Sequence, residues 1–258
     1  MDNKSSRSDP IRKRYFNAVE FSDRLSDCFF YTGASLSLVS LSIDKALNPL
    51  VYDAVVVLFV LAVVALFVVG LFLRLYLTPR ADDRRRQDFF TSACNVNLTP
   101  ETTVGYYNNE LTKPIDRIAA QLFENSFFSK NIALSMVKFE RAKVAVYAIL
   151  WLVAVLNRST DLGWIAAAAQ AVFSEQILSK WFRLEWLRMR FERTFDDMYR
   201  LFQNRGSAQK FLAMTLDSLG MYETSKANAA VTLSSKIFQE RNAGLSIEWE
   251  AIKQRLKF

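Results

Sequence analysis

The chain has 258 residues, with 33 Lys and Arg against 26 Asp and Glu, no histidine, two cysteines, 51% hydrophobic residues and a mean hydropathy of +0.07. These totals exclude a Ser-His-Asp triad, a Cys-His dyad and a His-Cys zinc site within one chain, and 7 Gly with 5 Pro disfavour a turn-rich β architecture. Such hydropathy beside 23% charged residues requires the apolar residues and the charges to be segregated along the chain. Residues 1–26 are polar and carry Lys4, Arg7, Arg12, Lys13 and Arg14. They read as a basic cytoplasmic segment, because a cleavable signal needs its apolar region sooner and a small-residue cleavage site after it. Residues 27–78 read as a transmembrane hairpin. Cys28 to Ile43 is uncharged, dotted with Ser35, Ser37, Ser40 and Ser42, and short for a span, whereas Ala54 to Leu73 gives 20 uncharged residues, enough for a core of roughly 30 Å. Asn48-Pro49 supplies the turn.

Residues 79–142 read as a cytoplasmic helical insertion, opening with Arg80, Arg84, Arg85 and Arg86. Thr99-Pro100-Glu101 and Thr112, Pro114, Asp116 both carry a helix-start pattern of cap, proline and early acid. The spacing of Ile118, Leu122, Ile132, Met136 and Phe139 is helical. Residues 143–180 form a second hairpin, with apolar arms Val144 to Leu156 and Leu162 to Phe173 around Asn157 to Asp161. Arms of about 13 residues also suit a buried soluble hairpin. Trp151 and Trp164 beside the turn, with the long stems of Lys143 and Lys180 at the other end, favour a membrane. In residues 181–258, a basic aromatic helix runs from Trp181 to Phe191, Gly206 and Gly220 read as helix stops, and Ser246 reads as the cap of a last helix. Of the 33 basic residues, only Lys45 and Arg158 fall in the two hairpin loops. That asymmetry is the positive-inside pattern of four spans with both termini cytoplasmic. The fold class expected is therefore an all-α membrane protein of four transmembrane helices in two hairpins with cytoplasmic helical regions.

No nucleotide-binding glycine loop, zinc spacing or nucleophile elbow occurs. Glu124, Glu185, Asp196 and Asp197 lie on Arg-rich helices and read as solvated salt-bridge partners. No enzyme activity, cofactor or metal is expected. Cys28 reads as a small buried hydrophobe, and Cys94 as a reduced cytoplasmic thiol. In the membrane half, Glu175 is either a pore-lining group or an interfacial carboxylate paired with Lys180 or Arg141. Ser37 and Ser40 suit helix packing or a wet pore surface, and Ala166 to Ala169 allows close approach of another helix, as in an oligomer. In the cytoplasmic half, Arg84, Arg85, Arg86, Tyr106, Tyr107, Asn108 and Asn109 combine cations, rings and amides, the parts that stack bases and neutralise phosphates. The same cluster also suits aromatic packing between helices. Arg183, Arg188 and Arg190 extend the basic surface.

The paired spans around Gly105-Tyr106-Tyr107-Asn108-Asn109 and Glu124-Asn125-Ser126-Phe127-Phe128-Ser129, with the tail segments Tyr222 to Ala227 and Leu245 to Glu250, resemble bacterial antiphage membrane effectors. The likeness is to SMODS-associated four-transmembrane pore-forming effectors and to the channel component of Hailong-type systems. The resemblance implies an oligomeric, gated, ion-conducting pore in the bacterial inner membrane, beside a nucleotidyltransferase whose nucleotide or short oligonucleotide product controls it. It implies neither the ligand's identity nor the sign of gating. A different class remains open: a non-conducting scaffold or anchor whose basic aromatic helices bind a protein partner or acidic lipid.

Overall fold

The computed structural model describes residues 8–107, 109, 111–156 and 161–258, so Asn108 and the hairpin-loop residues 157–160 lie outside the described residues. The chain is all-helical, with α1 (Asn17–Ser42), α2 (Pro49–Phe72), α3 (Thr78–Cys94), α4 (Pro114–Leu156), α5 (Leu162–Val172), α6 (Lys180–Gln203), α7 (Ala208–Ala229) and α8 (Ser235–Leu256). Three stretches are wound as π-helix, Arg12–Phe16, Leu73–Leu77 and Glu175–Ser179, leading into α1, α3 and α6.

The chain divides into two compact units, residues 18–77 with 138–182, and residues 1–17 with 78–137 and 183–258. We call them the apolar unit and the polar unit. In the apolar unit, Pro49 opens α2 because its missing N–H costs nothing at a first helical position. The stretch from Pro49 to Cys94, α2 and α3 joined through the π turn, is the one helix among the described residues long and apolar enough to cross a membrane, and its apolar part is almost wholly unburied within the chain. Packing in this unit is thin. Phe30, Val144 and Ile177 form a small core, with Leu66, Tyr147, Ala171, Leu178 and Trp181 partly buried against it. Gly33 brings α1 against α2, its Cβ position lying 3.9 Å from Ala62 Cβ, and at Gly163 the same position lies 3.3 Å from Leu41, joining the start of α5 to the end of α1. Asp161 caps α5 by accepting the Gly163 N–H at 2.7 Å. Val57, Leu61, Val64, Phe67 and Val68 on α2 and Val146, Leu150 and Val153 on α4 are left exposed.

The polar unit has an ordinary interior. Phe123 is completely buried, with the rings of Phe195, Phe202, Trp249 and Phe258 at 5.0 to 5.9 Å. Leu122, Leu184, Leu187, Phe191 and Met198 complete the layer between α4 and α6.

Several expectations from sequence are corrected. Thr99 to Glu101 starts no helix. The Glu101 carboxylate that would serve a first turn is taken instead by Arg14 at 2.8 Å, Tyr15 at 3.1 Å and Thr99 at 3.1 Å. The second such pattern does start α4 at Pro114. Gly220 lies inside α7, which runs on to Ala230, where the chain turns left-handed at φ 46°. Ser246 lies inside α8, whose cap is Ser234, accepting the Ile237 N–H at 3.4 Å. Cys28 is exposed within the chain, as is Phe139, while Glu124 is buried rather than solvated.

Candidate functional site

The polar unit gathers buried charge around α3. Arg85 points from α3 to Asp9, Nη2 donating to Oδ2 at 2.7 Å, with the two side chains only 16% and 18% exposed. Its guanidinium carbon lies 4.6 Å from the centre of the Tyr106 ring and 5.4 Å from that of Phe16. A cation over a ring face is attracted by the ring quadrupole, more so as water is excluded. Burial pulls Arg85 towards neutrality, but Tyr106 and the Asp9 carboxylate outweigh it, and the group is held above its ordinary value. Arg85 is thus a permanent cation, shielded from water.

Tyr106 and Tyr107 meet edge to face at 4.9 Å, and Tyr107 packs edge-on against Phe89 at 6.0 Å. The Tyr107 hydroxyl is buried near Asn125 without forming a good hydrogen bond, and burial pushes its phenol well above the ordinary range. Gly105 just before them has φ 65°, a left-handed conformation that costs glycine little and turns the chain into the tyrosine pair. Asp88, one turn of α3 beyond Arg85, fixes the approach by accepting from the Thr103 N–H at 3.1 Å and its hydroxyl at 2.8 Å.

A second polar group lies on α7. Lys226 is mostly buried and is held above its ordinary value: burial lowers it, but Glu223 at 3.4 Å and Asp82 at 3.9 Å prevail. Tyr222 shares a 2.9 Å hydrogen bond with Ser129, and burial pushes its phenol up to about 12. Arg190 on α6 donates to Ser225 at 3.1 Å, next to Lys226 in sequence.

Of the ligand residues expected from sequence, the structure brings together Arg85, Tyr106 and Tyr107. Asn109 has a buried, unpartnered Oδ1. Arg84 turns to Gln87 at 3.0 Å and to the Tyr15 ring at 5.9 Å, while Arg86 pairs on the surface with Asp83 at 2.6 Å. Arg188 is occupied by Glu185 and Glu192. Arg183 and Arg190 sit on α6 away from the tyrosine loop in sequence, and Arg190 is drawn into the α7 group. Sequence reasoning did not name Asp9, Lys226 or Tyr222 as site residues. The available signal was the segment Tyr222 to Lys226 combined with a helical reading, which puts positions 222, 225 and 226 on one face.

In the apolar unit, Ser40 returns its hydroxyl to the Ser37 carbonyl at 2.8 Å, and both serines are half-buried on α1. Glu175 is exposed and lies 3.8 Å from Arg74, while Lys180 lies 3.4 Å from both Asp23 and Asp27. Ser40 and Glu175 lie towards opposite ends of α5, whose 11 residues cover about 16 Å. Among the described residues, no group of acidic or thiol side chains is arranged to hold a metal ion. No family model, no curated protein and no solved structure matches the chain.

Proposed function

We propose that this chain is the pore-forming effector of a bacterial antiphage system. In this reading, four-span subunits oligomerise in the inner membrane with both termini cytoplasmic, and conductance is controlled by a nucleotide or short oligonucleotide from a partner nucleotidyltransferase. The observation that carries it is the pairing of an apolar unit whose helices expose rows of Val, Leu and Phe with a polar unit that holds a buried arginine against tyrosine rings. Contiguous exposed apolar surface on that scale belongs against lipid or another subunit. A cation with stacked rings belongs with a phosphate and a base.

The break after α5 supports a wet interior. Helix geometry fails at Phe173 and Ser174, the Ser174 hydroxyl is buried without a partner, and Glu175 follows exposed. Irregular backbone and an ionisable side chain at membrane depth are tolerated only where they meet protein or water. For the fourth span, α5 and the π turn after it must act together, since about 16 Å falls short of a core of roughly 30 Å.

The test is conductance of the purified chain in planar bilayers, with and without short oligonucleotides. The proposal expects single-channel currents that change on adding the oligonucleotide, and an altered conductance or selectivity in Glu175→Leu. Silence under every condition, from protein that has reconstituted, contradicts it. A second reading, a non-conducting anchor, draws on exposed Trp186 and Met189 beside exposed Arg193 on α6, a mixed apolar and basic face suited to a protein or acidic lipid. It predicts membrane attachment without current.

A further inference from the structure

Asp9 occupies the place on Arg85 that an anion would take, and fills it incompletely. One carboxylate oxygen meets Nη2 at 2.7 Å, while Nη1 of the same guanidinium is buried and has no partner. A guanidinium presents parallel donors matched to two oxygens of a phosphate, so this contact leaves half of the fork unused. Asn109 Oδ1, on the loop that carries Tyr106, is also buried without a hydrogen bond, and the Tyr107 hydroxyl there meets Asn125 only in poor geometry. Buried polar atoms are almost always satisfied, by protein or by something that binds there.

Asp9 arrives on a strap formed by residues 8–16. Ser8 and Val104 exchange two backbone hydrogen bonds at 3.1 and 3.0 Å, a single antiparallel rung. Arg14 and Tyr15 hold Glu101, and the guanidinium carbons of Arg80 and Arg84 lie 5.4 and 5.9 Å from the Tyr15 ring centre. Phe16 lies against Arg85 as well. The strap thus covers the cation with its own carboxylate and rings, through one backbone rung and a handful of side-chain contacts, and leads directly in sequence to α1.

We propose that Arg85, faced by Tyr106, is the seat for a phosphate group of an anionic ligand, and that residues 8–16 are an autoinhibitory strap whose Asp9 carboxylate fills the seat until that phosphate displaces it. The inference rests on the nucleotide reading above for the identity of the ligand, but its chemistry is that of phosphate, which an anionic lipid headgroup also carries. Two anions compete for one guanidinium, so only the unstrapped fraction of sites binds and apparent affinity falls in proportion to that open fraction. Asp9 has a second role that allows a clean test. Its Oδ1 accepts the Arg12 N–H at 2.9 Å as a helix cap, a role asparagine performs equally well. Asp9→Asn therefore removes the charge and keeps the cap.

The experiment uses the full chain in neutral detergent at fixed salt. Anisotropy of a labelled mixed-sequence hexanucleotide is measured for wild type, Asp9→Asn, Arg85→Lys and the double variant, with inorganic phosphate as competitor. Binding to phosphatidylglycerol vesicles is measured against phosphatidylcholine vesicles. We expect Asp9→Asn to tighten hexanucleotide binding by about tenfold, the gain to vanish in the Arg85→Lys background, and amide exchange at residues 8–16 to accelerate when the oligonucleotide saturates wild type. Tightening confined to phosphatidylglycerol vesicles supports the seat and the strap with a lipid ligand, and overturns the nucleotide reading alone. No tightening of either probe in Asp9→Asn overturns the proposal, as does unchanged exchange of residues 8–16 at saturation. Conductance does not enter these readouts, so a silent chain still passes or fails them.

Discussion

Phe123 in the polar unit is fully buried and ringed by five other aromatics, whereas Leu150 on the distal half of the same helix, α4, is 60% exposed. One continuous helix thus carries a packed half and an exposed half. Over its first half the apolar residues find partners across α6 and α8. Over the second they find few, and the surroundings must supply what the chain does not. The polar unit also spends its charges inside, on the Arg85 and Asp9 pair and on Lys226 with Asp82 and Glu223. The apolar unit also holds charge, Lys180 against Asp23 and Asp27 and the buried Glu140 with Lys143, beside the more exposed pair of Arg74 with Glu175. What separates the units is apolar packing, since exposed Val, Leu and Phe in such rows call for a cover that this chain does not itself supply.

That contrast is sharpest in the cost of truncating a large side chain. Phe123→Ala removes the hub of a packed aromatic layer and is expected to destabilise the polar unit by about 3 to 5 kcal/mol, read as a fall in the thermal midpoint of its unfolding in detergent. The equivalent change Leu150→Ala is expected to cost no more than roughly 0.5 kcal/mol. A cost near that of Phe123 at Leu150 would mean that a second subunit packs there, which sharpens the comparison towards an oligomer interface.

A smaller effect separates the units by pH. The Tyr222 phenol is pushed up to about 12 by burial, while the unfolded chain ionises near 10. Between those values the folded protein keeps a proton that the unfolded chain loses. The contribution is fully present below pH 10 and falls as pH rises towards 12, by roughly 3 kcal/mol in all. Tyr222→Phe should cost about 1 kcal/mol at pH 9, through loss of the Ser129 hydrogen bond. The gap from wild type should narrow or reverse by pH 11.5. A constant gap across that range would show that Tyr222 titrates as an exposed phenol, and would break the picture of a dry polar interior.

The helices were legible in the sequence wherever local signals agreed. Pro49 after Asn48, the uncharged run to Leu73 and Pro114 with Asp116 each mark an element that forms. The failures came where a distant partner outbid a local pattern. Glu101 has the place of a first-turn acid in the local pattern, but Arg14 and Tyr15, more than eighty residues earlier, take its carboxylate. Ser246 looks like a cap because acids follow it, but Ser234 already caps that helix, and a serine within it needs no further explanation. Arg85 was visible in the site only as one of three adjacent arginines. Helical geometry sends the three in different directions, Arg84 to Gln87, Arg86 to Asp83 and Arg85 alone to the tyrosine loop. Asp9 could not be found at all, because no local pattern links residue 9 to residue 85.

The central claim is that the apolar unit crosses the bilayer while the polar unit stays inside the cell. Labelling of intact spheroplasts with a membrane-impermeant maleimide tests it most directly, using Asn48→Cys in a Cys28→Ser background and the native Cys94 at the end of α3. The account predicts that Asn48→Cys is modified from outside and that Cys94 reacts only after the membrane is permeabilised. Labelling of Cys94 in intact spheroplasts, or protection of Asn48→Cys until lysis, would contradict it.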